Sequence, residues 1–202
     1  MDIKNIVFDV GNVLVAFRYR ELMQDLGFDE TAVDYLAKNM VETPFWNELD
    51  RGDKMNADAI EKFTNELPEY KSEILKFWDN IQGVVKEYDY SEGLVKELKA
   101  AGYGVYILSN YPVETYHMHW PTFKFLPHAD GYIVSGFERV IKPDEKIYRL
   151  LESRFGIKLE DSIFVDDRQI NIDAANSYGM KGILFTGYDD LIDSLKKYNI
   201  EL

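Results

Sequence analysis

The sequence predicts an α/β protein whose core has three layers, with a parallel sheet between helices and a small α-helical cap inserted after the first strand. Three observations predict this fold class. Short apolar runs typical of buried strands recur along the chain. Segments with helical periodicity separate these runs, and strands that alternate with helices form parallel sheets. One long segment after the first run, residues 17–80, contains helical patterns only.

Four apolar runs and one weaker run predict the strands of a Rossmann-like sheet. They are Ile6–Val10, Val105–Leu108, Ile163–Val165, Ile183–Phe185 and, as the weaker run, Tyr132–Val134. The helices between them carry apolar stripes over residues 94–101, 147–155 and 170–178. Ser91 is the predicted N-cap of the first of these helices, and Gly102 is its predicted end.

The helical block after the first strand predicts a cap. Its patterns cover Leu22–Leu26, Ala32–Met40, Ala57–Leu67 and Ile74–Ile81. We expect the cap to span residues 17–80 and the discontinuous core to span residues 1–16 and 81–202. A lid over the carboxyl edge of the sheet would exclude water and select the ligand.

Composition excludes several classes of protein. The 202 residues are 46% hydrophobic and 14% aromatic, which is enough for a packed core. The absence of cysteine excludes disulfides, thiolate metal sites and a cysteine nucleophile. A net charge of −13 argues against nucleic-acid and membrane partners. With neither a signal peptide nor a bilayer-spanning run in the sequence, we expect a cytoplasmic monomer or homodimer.

Polar groups follow the predicted strands at the edge where open α/β sheets bind ligands. They are Asp9, Ser109, Asn110, Lys142 and the pair Asp166 and Asp167. Paired carboxylates repel each other unless a cation lies between them. Oxygen ligands in a chain without cysteine favour Mg²⁺. The pattern therefore predicts a site for Mg²⁺ and an anionic substrate, with solvated strand-end caps as the alternative.

The remaining polar groups fit an anion but do not require one. The Ser109 hydroxyl and the backbone N–H groups beside Asn110 can hold phosphate oxygens, and an ordinary turn cap explains them as well. Lys142 precedes Pro143, which holds its backbone extended before the next helix. Only the position of Lys142 beside the other groups distinguishes it from a solvated lysine.

Four motifs together resemble the haloacid dehalogenase (HAD) superfamily, in the order of that family and over essentially the whole chain. They are Asp9-Val10-Gly11-Asn12-Val13, Leu108-Ser109-Asn110, Ile141-Lys142-Pro143-Asp144 and Phe164-Val165-Asp166-Asp167. The helical insert resembles the first type of cap in that family. The first motif is similar to that of the subgroup containing the bacterial α-glucose-1-phosphate phosphatase.

The resemblance implies a role for each matching residue in catalysis. Asp9 would attack phosphorus and carry an aspartyl-phosphate. Ser109, with Asn110 beside it, would bind the phosphoryl oxygens. Lys142 would balance the charge on Asp9 and on the transferring group.

The resemblance also implies the metal ligands. Mg²⁺ would bind the carboxylates of Asp9 and Asp167 and the backbone carbonyl of Gly11, two residues after the nucleophile. Asp166 would be a further ligand, either direct or through water.

Two positions depart from the family pattern. Most phosphatases of the family have an aspartate general acid/base where this chain has Gly11, and such catalysis contributes about 10²–10⁴-fold. Asn171 replaces an aspartate common in the fourth motif, which changes hydrogen bonding around the ligands. Gly11 suggests substrates whose leaving group needs little proton help, such as sugar 1-phosphates and acyl phosphates. The alternative is that water or a cap residue supplies the proton.

The cap contains weaker candidates for substrate contacts. Residues 44–53 predict a loop in which aromatic side chains face the site, or else pack within the cap. Arg51, Arg18 and Arg20 are candidates for pairing with an anion. Three histidines are too poorly spaced for a metal set and are interpreted as surface or packing residues: His117, His119 and His128.

The function favoured by these residues is a Mg²⁺-dependent phosphatase acting on a small phosphorylated metabolite, with sugar phosphates among the candidates. A 2-haloacid dehalogenase is the first alternative, but those enzymes lack the acidic pair and usually carry a tyrosine after the nucleophile. The second alternative is a phosphometabolite-binding protein with weakened catalysis. Phosphotransfer, as in a mutase, is a third.

Overall fold

A computed structural model describes residues 2–202. Over these residues the chain forms seven strands and eleven α-helices. The strands are β1 (Asn5–Phe8), β2 (Val15–Phe17), β3 (Val85–Glu87), β4 (Gly104–Ser109), β5 (Gly131–Val134), β6 (Ser162–Asp166) and β7 (Lys181–Leu184). The helices are α1 (Tyr19–Asp25), α2 (Glu30–Leu36), α3 (Pro44–Arg51), α4 (Asn56–Glu66), α5 (Lys71–Asp79), α6 (Ser91–Ala100), α7 (Val113–His119), α8 (Ser135–Glu138), α9 (Glu145–Phe155), α10 (Gln169–Ser177) and α11 (Tyr188–Lys196).

Five parallel strands form the central sheet in the order β5-β4-β1-β6-β7. Successive residues of β1 face opposite sides, so Ile6 and Phe8 pack in one apolar cluster and Val7 packs in another. Helices cover both faces of the sheet, which confirms the predicted three-layer class. The strand order places β1 at the centre, and chain connections leave it towards both sides. Ligands of such sheets bind at the carboxyl edge of this switch point.

The first five helices form the cap, which has an apolar cluster of its own. Phe63, Phe77 and Leu36 lie at the centre of this cluster and are almost fully buried. A single π-helical turn, Ala37–Val41, follows α2. Four of the five cap helices match the predicted helical patterns to within a few residues. The predicted division at residues 17 and 80 stays a prediction.

A two-stranded antiparallel sheet was not predicted from the sequence. It pairs β2 with β3, with Val15 opposite Glu87 and Phe17 opposite Val85. The segment that leads from the core into the cap and the segment that leads back are therefore hydrogen-bonded to each other as β2 and β3. Three-residue strands carry too short a pattern to be recognised by periodicity.

Two sequence expectations about local structure were wrong. Residues 44–51 form helix α3 rather than a loop, because Pro44 is favourable at the first helical position and Gly52 ends the helix with a φ of 77°. Ser91 is the first residue of α6 and not its N-cap. Its buried hydroxyl donates a hydrogen bond to the Leu14 carbonyl at 2.6 Å, which ties the helix to the chain after β1.

The helices described for residues 2–202 include none with the length and hydropathy that a bilayer crossing requires.

Candidate active site

Strand register places two carboxylates side by side at the carboxyl edge. Phe8, the last residue of β1, pairs with Ile107 on one side and with Val165 on the other. The residues that follow this pair in β1 and β6 are therefore opposite each other, so that Asp9 lies beside Asp166. The Asp9 backbone N–H donates to the Val165 carbonyl at 2.9 Å, which fixes this alignment.

The Lys142 ammonium lies between these carboxylates. Its Nζ is 2.9 Å from Asp9 Oδ1 and 2.7 Å from Asp166 Oδ2, and its side chain is 1% exposed. Burial alone would lower the pKa of Lys142, but the Asp166 and Asp9 charges outweigh it and raise that pKa. Lys142 is therefore a permanent cation at the centre of the site.

Asp9 is under opposing electrostatic influences. Burial raises its pKa to about 7, Lys142 opposes the rise, and the charges of Asp166 and Asp167 add to it. The cluster contains three carboxylates and one ammonium, which pairs with Asp9 and Asp166, so it carries an excess of negative charge. A cation bound among these carboxylates would hold Asp9 ionised.

Asp166 is held in place by three donors. Asn171 Nδ2 lies 3.0 Å from both of its oxygens, and the Arg168 backbone N–H lies 2.8 Å from Oδ1, in addition to the Lys142 contact. Among residues 2–202, the buried Asn171 Oδ1 has no hydrogen-bond partner. This oxygen needs a hydrogen-bond donor, and a water bound to a metal at the neighbouring carboxylates would supply one.

The donor set fits a hard divalent cation. Asp9, Asp166 and Asp167 each offer a carboxylate oxygen, and these atoms lie within 4.8 Å of one another. In the described chain the Gly11 carbonyl, which lines the same cavity, accepts no hydrogen bond. Asn12 has a φ of 56°, and its amide Nδ2 orients Asp167 by donating to Oδ2 at 3.0 Å. Oxygen donors of this kind suit Mg²⁺.

The two predicted phosphate-binding residues occupy different surroundings. Ser109 ends β4 and is fully buried, and its hydroxyl lies 3.5 Å from the Asn110 carbonyl oxygen. The Asn110 side chain makes two hydrogen bonds to the backbone of Lys142. The Lys142 N–H donates to Asn110 Oδ1 at 2.8 Å, and Asn110 Nδ2 donates to the Lys142 carbonyl at 3.2 Å. Asn110 therefore positions the lysine. Its own backbone N–H donates to no group in residues 2–202.

A cavity of about 450 Å³ separates this edge from the cap, within the range of small-molecule sites. Asp9, Lys142 and Asp167 are on its core wall. The opposite wall is largely apolar and aromatic and comes from the cap and its connecting strands: Val15, Phe17, Val41, Pro44, Trp46, Ile81, Val84 and Val85.

The cap candidates separate into those at the cavity and those elsewhere. Trp46 lines the cavity and also stacks on Trp78, 5.9 Å between centroids, whereas Phe45 packs on Phe63 inside the cap. The three candidate arginines pair with carboxylates and do not line the cavity: Arg18 with Asp25, Arg20 with Asp34 and Glu42, and Arg51 with Asp53.

Asp50 and His119 are among the polar residues of the cavity that the sequence analysis did not assign to the site. Asp50 on α3 lines it and is 9% exposed. His119 lines it as well and is buried, with Nδ1 at 2.7 Å from the Tyr111 hydroxyl and Nε2 at 3.3 Å from the Ile81 carbonyl. Because a carbonyl only accepts, Nε2 carries the proton and Tyr111 donates to Nδ1. His119 is thus a packing residue, as expected, while His117 is exposed.

The chain is similar to characterised enzymes and to solved structures. It is 26% identical over 191 residues, 91% of this chain and 90% of the relative, to the sesquiterpene phosphatase astK of Aspergillus oryzae. It is 28% identical over 118 residues, 57% of this chain and 48% of the relative, to flavin mononucleotide hydrolase 1 of Arabidopsis thaliana.

A HAD family enzyme of Bacteroides thetaiotaomicron, solved with magnesium and inorganic phosphate, has the same fold. It is 22% identical with a TM-score of 0.67, covering 93% of this chain and 96% of the other. The sequence model of the haloacid dehalogenase-like hydrolases matches residues 3–179. This match spans most of the chain and all four motifs, so the protein belongs to the haloacid dehalogenase-like hydrolase family.

Proposed function

We propose that this hydrolase is a Mg²⁺-dependent phosphatase that cleaves a small phosphate monoester through an aspartyl-phosphate on Asp9. One observation carries the proposal. Asp9 directly follows the carboxyl end of β1, one of its oxygens pairs with buried Lys142, and two further carboxylates lie beside it. A carboxylate needs no proton removed before it attacks phosphorus. The named activities of both sequence relatives, a sesquiterpene phosphatase and a flavin mononucleotide hydrolase, support the same reaction class.

Lys142 and the end of β4 would bind the transferring group. The Lys142 ammonium compensates charge on Asp9 and on the phosphoryl oxygens during transfer. We assign phosphoryl-oxygen binding to the Ser109 hydroxyl and to the backbone N–H of Asn110. The Asn110 side chain has another task, because it already holds the Lys142 backbone on both sides.

The metal would be held by the carboxylates of Asp9 and Asp167 and by the Gly11 carbonyl, with Asp166 as a further ligand or bound through water. Mg²⁺ at this position supplies charge stabilisation to the phosphoryl oxygens. Asn171 and Lys142 fix Asp166, and Asn12 fixes Asp167, before any metal binds. Such prior orientation lowers the reorganisation needed on binding.

The substrate's leaving group would lie against the cap. Sugar 1-phosphates and acyl phosphates remain candidates from the sequence argument about Gly11. Phosphate esters of apolar or ring-containing alcohols are further candidates, because Trp46 and Phe17 make the cap wall of the cavity apolar. The names of the two relatives refer to a sesquiterpene and to a flavin, which are groups of this kind. A 2-haloacid dehalogenase is disfavoured because the clustered Asp166 and Asp167 have no use in a metal-free displacement of halide.

The test is phosphate release from a panel of sugar 1-phosphates, acyl phosphates, prenyl phosphates and flavin mononucleotide, with Mg²⁺ and with EDTA. We expect Mg²⁺-dependent release that Asp9→Asn abolishes, because an amide does not attack phosphorus. The matched control is Asp53→Asn, an exposed carboxylate of the cap that lies outside the cavity. Release that persists in Asp9→Asn, or no release from any ester, would contradict the proposal.

A further inference from the structure

Asp50 is a buried carboxyl group that has no partner within the described part of the chain. It lies on α3, is 9% exposed, and lines the same cavity as Asp9. Among residues 2–202, its carboxylate makes neither an ion pair nor a hydrogen bond, whereas its backbone carbonyl accepts a hydrogen bond from the Ser135 hydroxyl. Burial of an unpartnered carboxyl group is unfavourable for folding. Its retention in the cavity wall therefore points to a group that binds or reacts there.

Two other acid–base groups of the cavity, Glu42 and His119, are already occupied. Glu42 accepts hydrogen bonds from Tyr19 and Arg20, which lower its pKa and keep it ionised. Both ring nitrogens of His119 are used within the protein, and burial lowers its pKa so that it stays neutral. Of these three groups, Asp50 alone makes no side-chain hydrogen bond within the described chain, so both of its oxygens are available to a substrate.

The position of Asp50 is fixed by close contacts between cap and core. The buried Ser135 hydroxyl donates to the Asp50 carbonyl at 2.5 Å and accepts from the Tyr111 backbone N–H at 2.9 Å. A Cβ on Gly52 would lie 2.5 Å from the Gly136 carbonyl oxygen, so the end of α3 touches the backbone of α8 directly. Asp50 is thus held on a docked helix end rather than on a free loop.

Building on the proposed phosphatase function, we propose that Asp50 is the general acid/base of the reaction and performs from the cap the proton transfers that Gly11 cannot. Attacking and leaving oxygens are roughly in line in phosphoryl transfer. Asp9 attacks from the core wall, so the leaving oxygen departs towards the cap wall that carries Asp50.

The Asp50 carboxyl group donates the proton needed in the first step and accepts the proton released in the second. In the first step the bond from Asp9 to phosphorus forms, the ester P–O bond breaks, and Asp50 gives its proton to the departing alkoxide. In the second step water attacks the aspartyl-phosphate, Asp50 takes a proton from that water, and Asp9 leaves as a carboxylate. The net reaction is ester plus water to alcohol plus phosphate, with Asp50 protonated again.

The pKa of Asp50 suits both roles near neutral pH. Burial raises this pKa to about 7, against the opposing charges of Lys142 and Arg168.

The experiment measures kcat/KM of wild-type, Asp50→Asn and Asp53→Asn enzymes with ethyl, phenyl, p-nitrophenyl and dinitrophenyl phosphate in Mg²⁺. kcat/KM reports the first step, and a proton donor matters more as the leaving group becomes more basic. We expect a shallow dependence on leaving-group basicity in wild type. Asp50→Asn should lose about 10²–10⁴-fold with ethyl phosphate and less than about threefold with dinitrophenyl phosphate. Asp53→Asn should follow wild type.

Equal loss of kcat/KM with all four esters, or no loss with ethyl phosphate, would overturn the role of Asp50. A steep leaving-group dependence in wild type would overturn it without any variant, whether or not Asp50→Asn folds. Failure of the proposed function has a different signature, since wild type would then release no Asp9-dependent phosphate even from dinitrophenyl phosphate.

Discussion

Asp50 and Asp166 are two buried carboxyl groups of the candidate site, and they differ in how many donors the protein provides for them. Asp166 receives the Lys142 ammonium, the Asn171 amide and the Arg168 backbone N–H. Asp50 receives no donor within the described chain, although it is also buried, with 9% of its surface exposed against 0% for Asp166. A satisfied carboxylate is tolerated in a core, whereas an unsatisfied one lowers stability. Asp50 is therefore a residue whose removal should stabilise the protein.

We predict that Asp50→Asn raises the free energy of unfolding and that the gain grows with pH. The pKa of Asp50 is about 7 in the folded protein, above the ordinary 3.8 of an unfolded chain. Between these values the unfolded chain releases a proton that the folded protein keeps, so this group lowers wild-type stability as pH rises. The charged groups that face Asp50 are Lys142 and Arg168, with the Tyr111 phenol nearby. These three groups are unchanged in the variant.

Urea unfolding at pH 4, 5, 6 and 7.5 would measure this difference. The advantage of Asp50→Asn should increase by about 2–4 kcal/mol from pH 4 to 7 and then level off. Asp53→Asn, with the same substitution at an exposed position, should stay within about 0.5 kcal/mol of wild type throughout. A stability difference independent of pH would show that Asp50 is not buried as an unpartnered acid.

At the scale of elements, the contact between α3 and α8 determines where the cap meets the core. Gly52 ends α3 with a φ of 77°, and the space beside it is filled by the Gly136 backbone. Gly136 is in turn packed against the Tyr111 carbonyl and the backbone N–H of Val113. The end of α3, the first turn of α8 and the start of α7 are therefore in direct backbone contact. A displacement at Gly52 would move Asp50 as well.

We predict that Gly52→Ala lowers both stability and kcat/KM. The new methyl group must displace a backbone carbonyl rather than a flexible side chain, which costs about 1–3 kcal/mol in packed interiors. The left-handed conformation adds about 1–2 kcal/mol for any residue with a Cβ. Urea unfolding and steady-state kinetics with p-nitrophenyl phosphate would measure the two effects.

Gly27→Ala separates these contributions, because Gly27 follows α1 with a φ of 81° and has open space where its Cβ would lie. This variant should lose only the conformational part of the stability and retain kcat/KM. If both variants lost the same stability and activity, the contact with Gly136 would have no role in docking the cap.

The elements that sequence could predict are those whose physical signal is local. The five strands of the main sheet read as short apolar runs. The central strands β1 and β6 are buried throughout, whereas the edge strands β5 and β7 each expose one residue. Parallel register then brings the residues after β1 and β6 together, so Asp9, Asp166 and Asp167 could be expected at one edge. Helix α3 was missed although Phe45, Trp46 and Leu49 are spaced as on one helical face, because eight residues make only about two turns and the flanking Pro44 and Gly52 are also typical of loops.

Asp50 could not be placed from sequence because its position depends on tertiary contacts. The acidic residues of 48–53 look alike along the chain, and α3 directs Asp50 towards the cavity while Asp53 pairs with Arg51 and Arg139. The contact of Gly52 with Gly136 and the hydrogen bond from Ser135 have no sequence pattern of their own. The same holds for Asn110, whose amide holds the Lys142 backbone from a distant part of the chain.

At the scale of the whole molecule, the charge is strongly negative while the site must receive an anion. The net charge of −13 repels a phosphate ester at long range, so the local field of the cavity has to oppose it. Lys142 and Arg168 line the cavity, but Asp9 and Asp167 line it too. A bound divalent cation would reverse this balance and would also remove the repulsion among the three carboxylates. Metal binding should therefore be linked to folding stability.

We predict that Mg²⁺ raises the melting temperature of the protein well beyond the effect of ionic strength. A ligand that binds the folded state at 100 times its Kd adds about 2.7 kcal/mol, or roughly 5–10 °C for a domain of this size. Because any salt screens repulsion in so acidic a protein, the reference is NaCl at matched ionic strength. Asp167→Asn should abolish the excess shift, whereas Asp53→Asn, which changes the net charge equally, should retain it. Equal shifts with NaCl and Mg²⁺ in wild type would mean that the carboxylate cluster binds no specific cation, since screening alone would then explain the stabilisation.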